Sequence, residues 1–105
     1  MENIYEQLEI SEQGRHISIP KDAAEFIFDF LKDKPISQTL ETGFAYGCSA
    51  AHIISATGKN HIAIDPYEKE SFNDLGVYNI KKTRPGKIFE IYQIAFTNCF
   101  AEPAE

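Results

Sequence analysis

What this chain lacks bounds it before anything it contains. No run of lysine or arginine is dense enough to neutralise a phosphate backbone, and 16 acidic side chains against 10 basic ones give a formal charge of -6. That balance argues against nucleic acid as a primary partner. No apolar run approaches the ~20 residues that span a bilayer, and the start Met-Glu-Asn-Ile-Tyr-Glu has neither the basic opening nor the apolar middle of a secretion signal. The expectation is no membrane association and a cytoplasmic location. Cysteine is scarce: Cys48 and Cys99 stand far apart with no Cys-x-x-Cys and no Cys/His cluster, which suggests neither a zinc site nor a disulfide scaffold and reads as two reduced thiols. His16, His52 and His61 are scattered without ligand spacing, so no metal is expected. Internal repeats and low-complexity linkers are missing too. A chain of 105 residues without them reads as one domain, able to bury somewhat under ~70% of its unfolded surface.

What is present is an alternation of elements. Residues 1–17 are polar and mixed with no sustained period, and read as a partly ordered arm ahead of a domain over 18–105. Pro20 suits the first helical position, with Ala23, Ile27, Phe30 and Leu31 on one face and Phe26 beside it; Lys32 and Lys34 suit the C-terminal end, and Pro35 stops the helix. Residues 36–42 read as a strand. A helix from Gly47 or Cys48 to Thr57 carries the apolar stripe Ala50, Ile53, Ile54 and Thr57, closed by Gly58. His61 to Asp65 reads as a second strand covered on both faces. The charged stretch 65–74 reads as a solvated loop, and 73–82 as a weaker helix because Gly76 and Val77 lower its propensity. Pro85-Gly86 is a turn, and 88–96 a β-rich third strand. The order α-β-α-β-α-β predicts an α/β, three-layer Rossmann-like parallel sheet of about three strands.

The chemistry concentrates in Leu40-Glu41-Thr42-Gly43-Phe44-Ala45-Tyr46-Gly47-Cys48-Ser49 and in His61-Ile62-Ala63-Ile64-Asp65. A strand ends in a carboxylate, passes through a turn with small residues at every second position, and enters a helix; the next strand ends in another carboxylate. This is the pattern of a nucleotide-binding β-α-β unit. Gly43, Ala45 and Gly47 let a ligand approach the backbone. Amides of residues 46–49, Ser49 among them, face its polar groups. Asp65 is placed to accept from ribose hydroxyls. Spacing narrows the ligand: the third small residue comes one position earlier than in Gly-x-Gly-x-x-Gly, and Glu41 would repel a pyrophosphate while attracting an ammonium or sulfonium group. A cationic nucleoside is favoured over a nicotinamide dinucleotide.

Glu41-Thr-Gly43-Phe-Ala45-Tyr-Gly47-Cys-Ser49 resembles motif I (Glu-x-Gly-x-Gly-x-Gly) of the class I S-adenosylmethionine-dependent methyltransferases, in particular the bacterial small-molecule O-methyltransferase-like branch, and Ile62-Ala63-Ile64-Asp65-Pro66-Tyr67 resembles that branch's second motif. The likeness covers roughly residues 17–82. It implies S-adenosylmethionine as cofactor. Gly43, Ala45 and Gly47 would line its methionine part, Glu41 would anchor the amino group through water or a turn amide, Asp65 would hold the ribose and Tyr67 would lie against the adenine. Ala45 replaces the usual middle glycine, which keeps the site small and demands an ordinary backbone conformation there. Cys48, beside a helix start but without an adjacent base, reads as a structural thiol.

The resemblance also implies what should follow the third strand. There the family addresses adenine with a polar residue, for which Thr97 or Asn98 would serve, and a fourth strand faces the acceptor, for which this sequence has no counterpart. The expectation is a donor-binding half without the acceptor half, a methyltransferase by resemblance that is inactive as an isolated chain, with residues 83–105 either an evolved ending or the product of a shifted or interrupted reading frame. A small-molecule acceptor is the partner if the chain is active. Because strand one would lie beside strand four, its free edge implies self-association, a partner that completes the sheet, or a truncated remnant of limited stability. The rival reading is a non-catalytic interaction module that keeps the fold without the ligand.

Overall fold

The computed structural model describes residues 3–84 and 89–93. Its centre is a sheet of three parallel strands, β1 (Gln38–Thr42), β2 (Asn60–Ile64) and β3 (Phe89–Tyr92), in spatial order β1-β2-β3. Glu41 pairs with Ala63 and Ala63 with Ile91, while Thr39 pairs with His61 and His61 with Phe89. With a side-chain period of two, these residues share one face of the sheet.

The helices of that layer are α3 (Lys21–Leu31), α4 (Cys48–Thr57) and α6 (Leu75–Thr83). α4 packs against β2, α3 and α6. Its Ala50, Ala51 and Ile54 are wholly buried, and the two alanines allow close approach of its neighbours. The helix begins as expected, after Gly47 in the left-handed region (φ 79°), and ends as expected, at left-handed Gly58 (φ 64°), whose N–H donates to the Ile54 carbonyl. On the opposite face of the sheet Leu40 is 64% exposed and Tyr92 is exposed as well. The described residues therefore build the sheet and the layer over one of its faces. β1 is paired on one side only among them.

Several elements differ from the sequence reading, each for a tertiary reason. The inward row of α3 is buried Ala24 with half-buried Ile27, Phe28 and Leu31, at the i, i+3, i+4, i+7 spacing, whereas Phe30 is exposed. Phe26 and Phe30 stack on each other outside, with the Lys34 ammonium 4.2 Å from the Phe30 ring centre. Pro20 caps this helix from just before its first residue. Residues expected as an arm form α1 (Ile4–Gln7) and α2 (Glu12–Arg15), and Ile4 and Leu8 join the core with Ala24, Phe44 and Ile80. The charged stretch after β2 contains α5 (Glu68–Ser71) with Glu68 fully buried, while Tyr67, Lys69, Ser71, Asn73 and Asp74 are exposed as a solvated segment would be. β1 starts later than expected; the turn at Pro85-Gly86, most of the third strand's C-terminal half, Thr97, Asn98 and Cys99 lie outside the described residues.

Gly76 explains why a helix-weakening residue opens α6. A Cβ there would stand 2.6 Å from the Phe44 ring and 2.8 Å from a Glu68 carboxyl oxygen. The propensity lost at this position is the condition for seating α6 against the turn after β1.

Candidate functional site

The turn between β1 and α4 is fixed from the end of β2. Asp65, 4% exposed, accepts on Oδ2 from the amides of Phe44 (2.8 Å) and Ala45 (3.0 Å), and on Oδ1 from the amide of Tyr67 (2.8 Å). Three of the roughly four acceptor positions of a carboxylate are thereby used within the chain. Gly43 donates to the Ile64 carbonyl at 2.7 Å and takes φ 80°, which favours glycine. A Cβ at Gly43 would meet nothing within 4 Å, whereas one at Gly47 would meet the Gly76 carbonyl, Phe44 and Ile80. Gly43 thus fronts open space, and Gly47 serves the packing of α6.

Ala45 corrects the sequence reading. Its φ is 50°, so the alanine adopts the left-handed conformation of the glycine it stands for, at a cost of roughly 1–2 kcal/mol. Two bonds hold it there: the amide is bound to Asp65, as is its neighbour Phe44. Ala45→Gly is accordingly expected to raise stability in urea denaturation by about 0.5–1 kcal/mol, strain relief exceeding the added chain entropy. A decrease would show that the turn is not strained.

Glu41 faces the turn from the end of β1. Its Oε2 accepts from the Ser49 hydroxyl at 2.7 Å, and its Oε1 lies 2.9 Å from Nε2 of buried His61, whose Nδ1 lies 2.8 Å from the Thr39 hydroxyl. Ser49 stands in the first turn of α4, where the helix dipole favours a carboxylate nearby. His61 has no ligand spacing in the sequence to mark it; on the paired strands it is the diagonal neighbour of Glu41 on the same face. That relation needs the strand register, which the sequence alone does not print.

Glu41, Gly43, Ala45, Ser49, Asp65 and Tyr67 converge on one cleft of about 460 Å³ at the C-terminal ends of β1 and β2. Gly47 lies behind it. Part of the remaining wall comes from residues that sequence reasoning missed: Ile17, Ser18 and Ile19 of the N-terminal segment, and Phe72 after α5. Tyr46 packs edge-on to Phe72, ring centres 5.1 Å apart, and a Cβ at Gly14 would come within 2.6 Å of the Tyr46 ring. The segment is tied down by Asn79, which accepts from the Glu9 amide (2.7 Å) and donates to the carbonyls of Glu9 (3.1 Å) and Tyr46 (2.9 Å). Tyr67 is exposed along the rim.

Two buried groups near the cleft have displaced titrations. Burial pushes the Cys48 thiol up to about 11, which keeps it protonated and unsuited to nucleophilic attack. Burial likewise pushes the Glu68 carboxyl up to about 7, against the Val77 amide that lowers it and with the Asp65 charge adding to the rise. Among the described residues no group of three or more His, Cys, Asp or Glu side chains could hold a metal ion, and no helix is long and apolar enough to cross a membrane.

No protein-family model matches this sequence, and no curated protein does. Solved structures do match. The methyltransferase PaMTH1 of Podospora anserina, crystallised with S-adenosylhomocysteine (SAH), aligns over 98% of this chain with a TM-score of 0.77 at 13% identity. A Plasmodium falciparum protein described as a protein-L-isoaspartate O-methyltransferase, in complex with S-adenosyl-L-homocysteine, aligns over 75% of this chain with a TM-score of 0.55 at 16% identity. The chain spans about half the length of these neighbours, 47% and 40% respectively. Its fold is the Rossmann-like fold of class I S-adenosylmethionine-dependent methyltransferases.

Proposed function

We propose that this chain binds S-adenosylmethionine and SAH in the cleft over the β1–α4 turn, as the donor-binding half of a small-molecule methyltransferase. The observation that carries the reading is the convergence of an acceptor-only carboxylate, a positive-φ glycine turn and apolar walls at the ends of two parallel strands, in the fold of proteins crystallised with SAH. The residues fit such a ligand. The volume is in the range of small-molecule sites, about 300–1,000 Å³. Glu41 suits a cationic group, Gly43 leaves the backbone approachable, and Tyr67 and Phe72 offer apolar faces to a purine. Asp65 keeps one acceptor position for a ribose hydroxyl while its other positions hold the turn. Ala45, Gly47 and Ser49 act by shaping that turn and orienting Glu41.

When bound, S-adenosylmethionine supplies an activated methyl group for in-line transfer to a nucleophile. Glu41 and Asp65 orient the donor and do not act as acid or base. The finding that both are engaged inside the chain supports a second reading, a module in which these carboxylates serve the fold alone. Isothermal calorimetry with SAH separates the two: heat of binding is expected, and its absence at millimolar ligand, with folding verified, removes the donor reading.

The proposal extends to self-association through the free side of β1, supported by its one-sided pairing among the described residues. A concentration-dependent sedimentation coefficient is expected. A single monomeric species at every concentration would refute it.

A further inference from the structure

We propose that His61 is a positioning residue for Glu41, fixing the rotamer and acceptor state of that carboxylate from beneath the cleft. The affinity for a ligand's cationic group is then set by a side chain that no ligand touches. The inference rests on the reading that this cleft takes the methyl donor.

The geometry is two-layered. The Glu41 side chain is 15% exposed and the His61 side chain 0%, and Glu41 lines the cleft while His61 does not. The imidazole stacks on Phe89, ring centres 6.2 Å apart and planes 13° from parallel, which fixes the ring plane. An anionic Glu41 can only accept, so the proton on Nε2 points at its Oε1. Nδ1 faces the Thr39 hydroxyl, which also lies 3.3 Å from the Asn60 carbonyl. When that hydroxyl donates to Nδ1, the one proton of a neutral ring sits on Nε2 and points toward Glu41.

A buried position on a parallel strand is ordinarily filled by Val, Ile or Leu. Burying an imidazole there is tolerable only because both nitrogens have partners, and one of those partners is the carboxylate of the cleft. With Ser49 holding Oε2 from α4 and His61 holding Oε1 from β2, the side chain is anchored at both oxygens before any ligand arrives. Such preorganisation raises affinity by removing the ordering cost from the binding step.

The test compares wild type with His61→Gln, which places an amide donor where Nε2 stood, and His61→Phe, which keeps the stack on Phe89 and loses the donor. By calorimetry with SAH, His61→Gln is expected within about threefold of wild-type affinity and His61→Phe weaker by about tenfold or more. A folded His61→Phe that binds SAH like wild type overturns the proposal. Nitrogen-15 NMR of the histidine rings in the ligand-free wild-type protein supplies an arm that needs neither ligand nor a folded variant. A proton on Nε2 of His61 is expected, and a ring protonated on Nδ1 alone overturns the proposal. If wild type binds no SAH while the Nε2 proton is present, the donor reading fails and the positioning of Glu41 stands.

Discussion

Asp65→Ala should cost the protein about 3–5 kcal/mol of stability, a large share of the roughly 5–15 kcal/mol that a single domain possesses. The carboxylate is buried and accepts from three backbone amides, those of Phe44, Ala45 and Tyr67. Alanine leaves these donors without their acceptor, each at about 1–3 kcal/mol, and releases the hold on Ala45 in its left-handed conformation. Urea denaturation monitored by circular dichroism measures the loss, and a change below about 1 kcal/mol would contradict the role assigned to Asp65. Loss of SAH binding by this variant therefore reports on the turn as well as on a ribose contact. Asp65→Asn helps separate the two: it retains one acceptor oxygen but turns an amide group toward backbone N–H donors.

The second large effect is a pH dependence carried by Glu68. Its carboxyl is raised from 4.5 to about 7, first by burial; Oε1 accepts from the Val77 amide at 2.9 Å and Oε2 is buried without a hydrogen bond among the described residues. The folded state thus binds this proton more tightly than the unfolded state. The associated stability is fully present below about pH 4.5 and is lost as pH rises through about 7, a total on the order of 3 kcal/mol. Glu68→Gln keeps an acceptor for Val77 and carries no charge. It should match wild type near pH 4.5 and exceed it by about 1–3 kcal/mol at pH 8. Parallel stability profiles for the two proteins across that range would rule the mechanism out.

These two residues also show what the sequence could disclose. The β-α-β order, the glycine at each end of α4 and the convergence of Glu41, Gly43, Ala45, Ser49, Asp65 and Tyr67 follow from local spacing, because strand ends and helix caps are local events. Glu68 does not follow: within Asp65-Pro-Tyr-Glu-Lys-Glu-Ser it has the composition of a surface loop, and it is enclosed by the seating of α6, at Gly76, against Phe44. His61 meets both Thr39 and Glu41 through strand register, and Phe28 instead of Phe30 packs against the core because tertiary packing selects which face of α3 turns inward. Ala45 read as a barrier to the left-handed conformation because intrinsic preference is visible in sequence and the opposing grip of Asp65 is not. Ile17, Ser18 and Ile19 reach the cleft through contacts made far along the chain.

That last point bears on how the cleft comes into being. The bonds of Asn79 to Glu9 join positions separated by 70 in sequence, so the wall formed by the N-terminal segment depends on the placement of α6. Contacts of such long range carry the largest loop-closure entropy and dominate contact order. Segments held by few bonds open at lower free energy than core strands, and the expected result is that this wall of the cleft loosens ahead of β2. In native-state hydrogen exchange the Glu9 amide would then exchange ahead of those in β2, and its protection would rise when the cleft is filled.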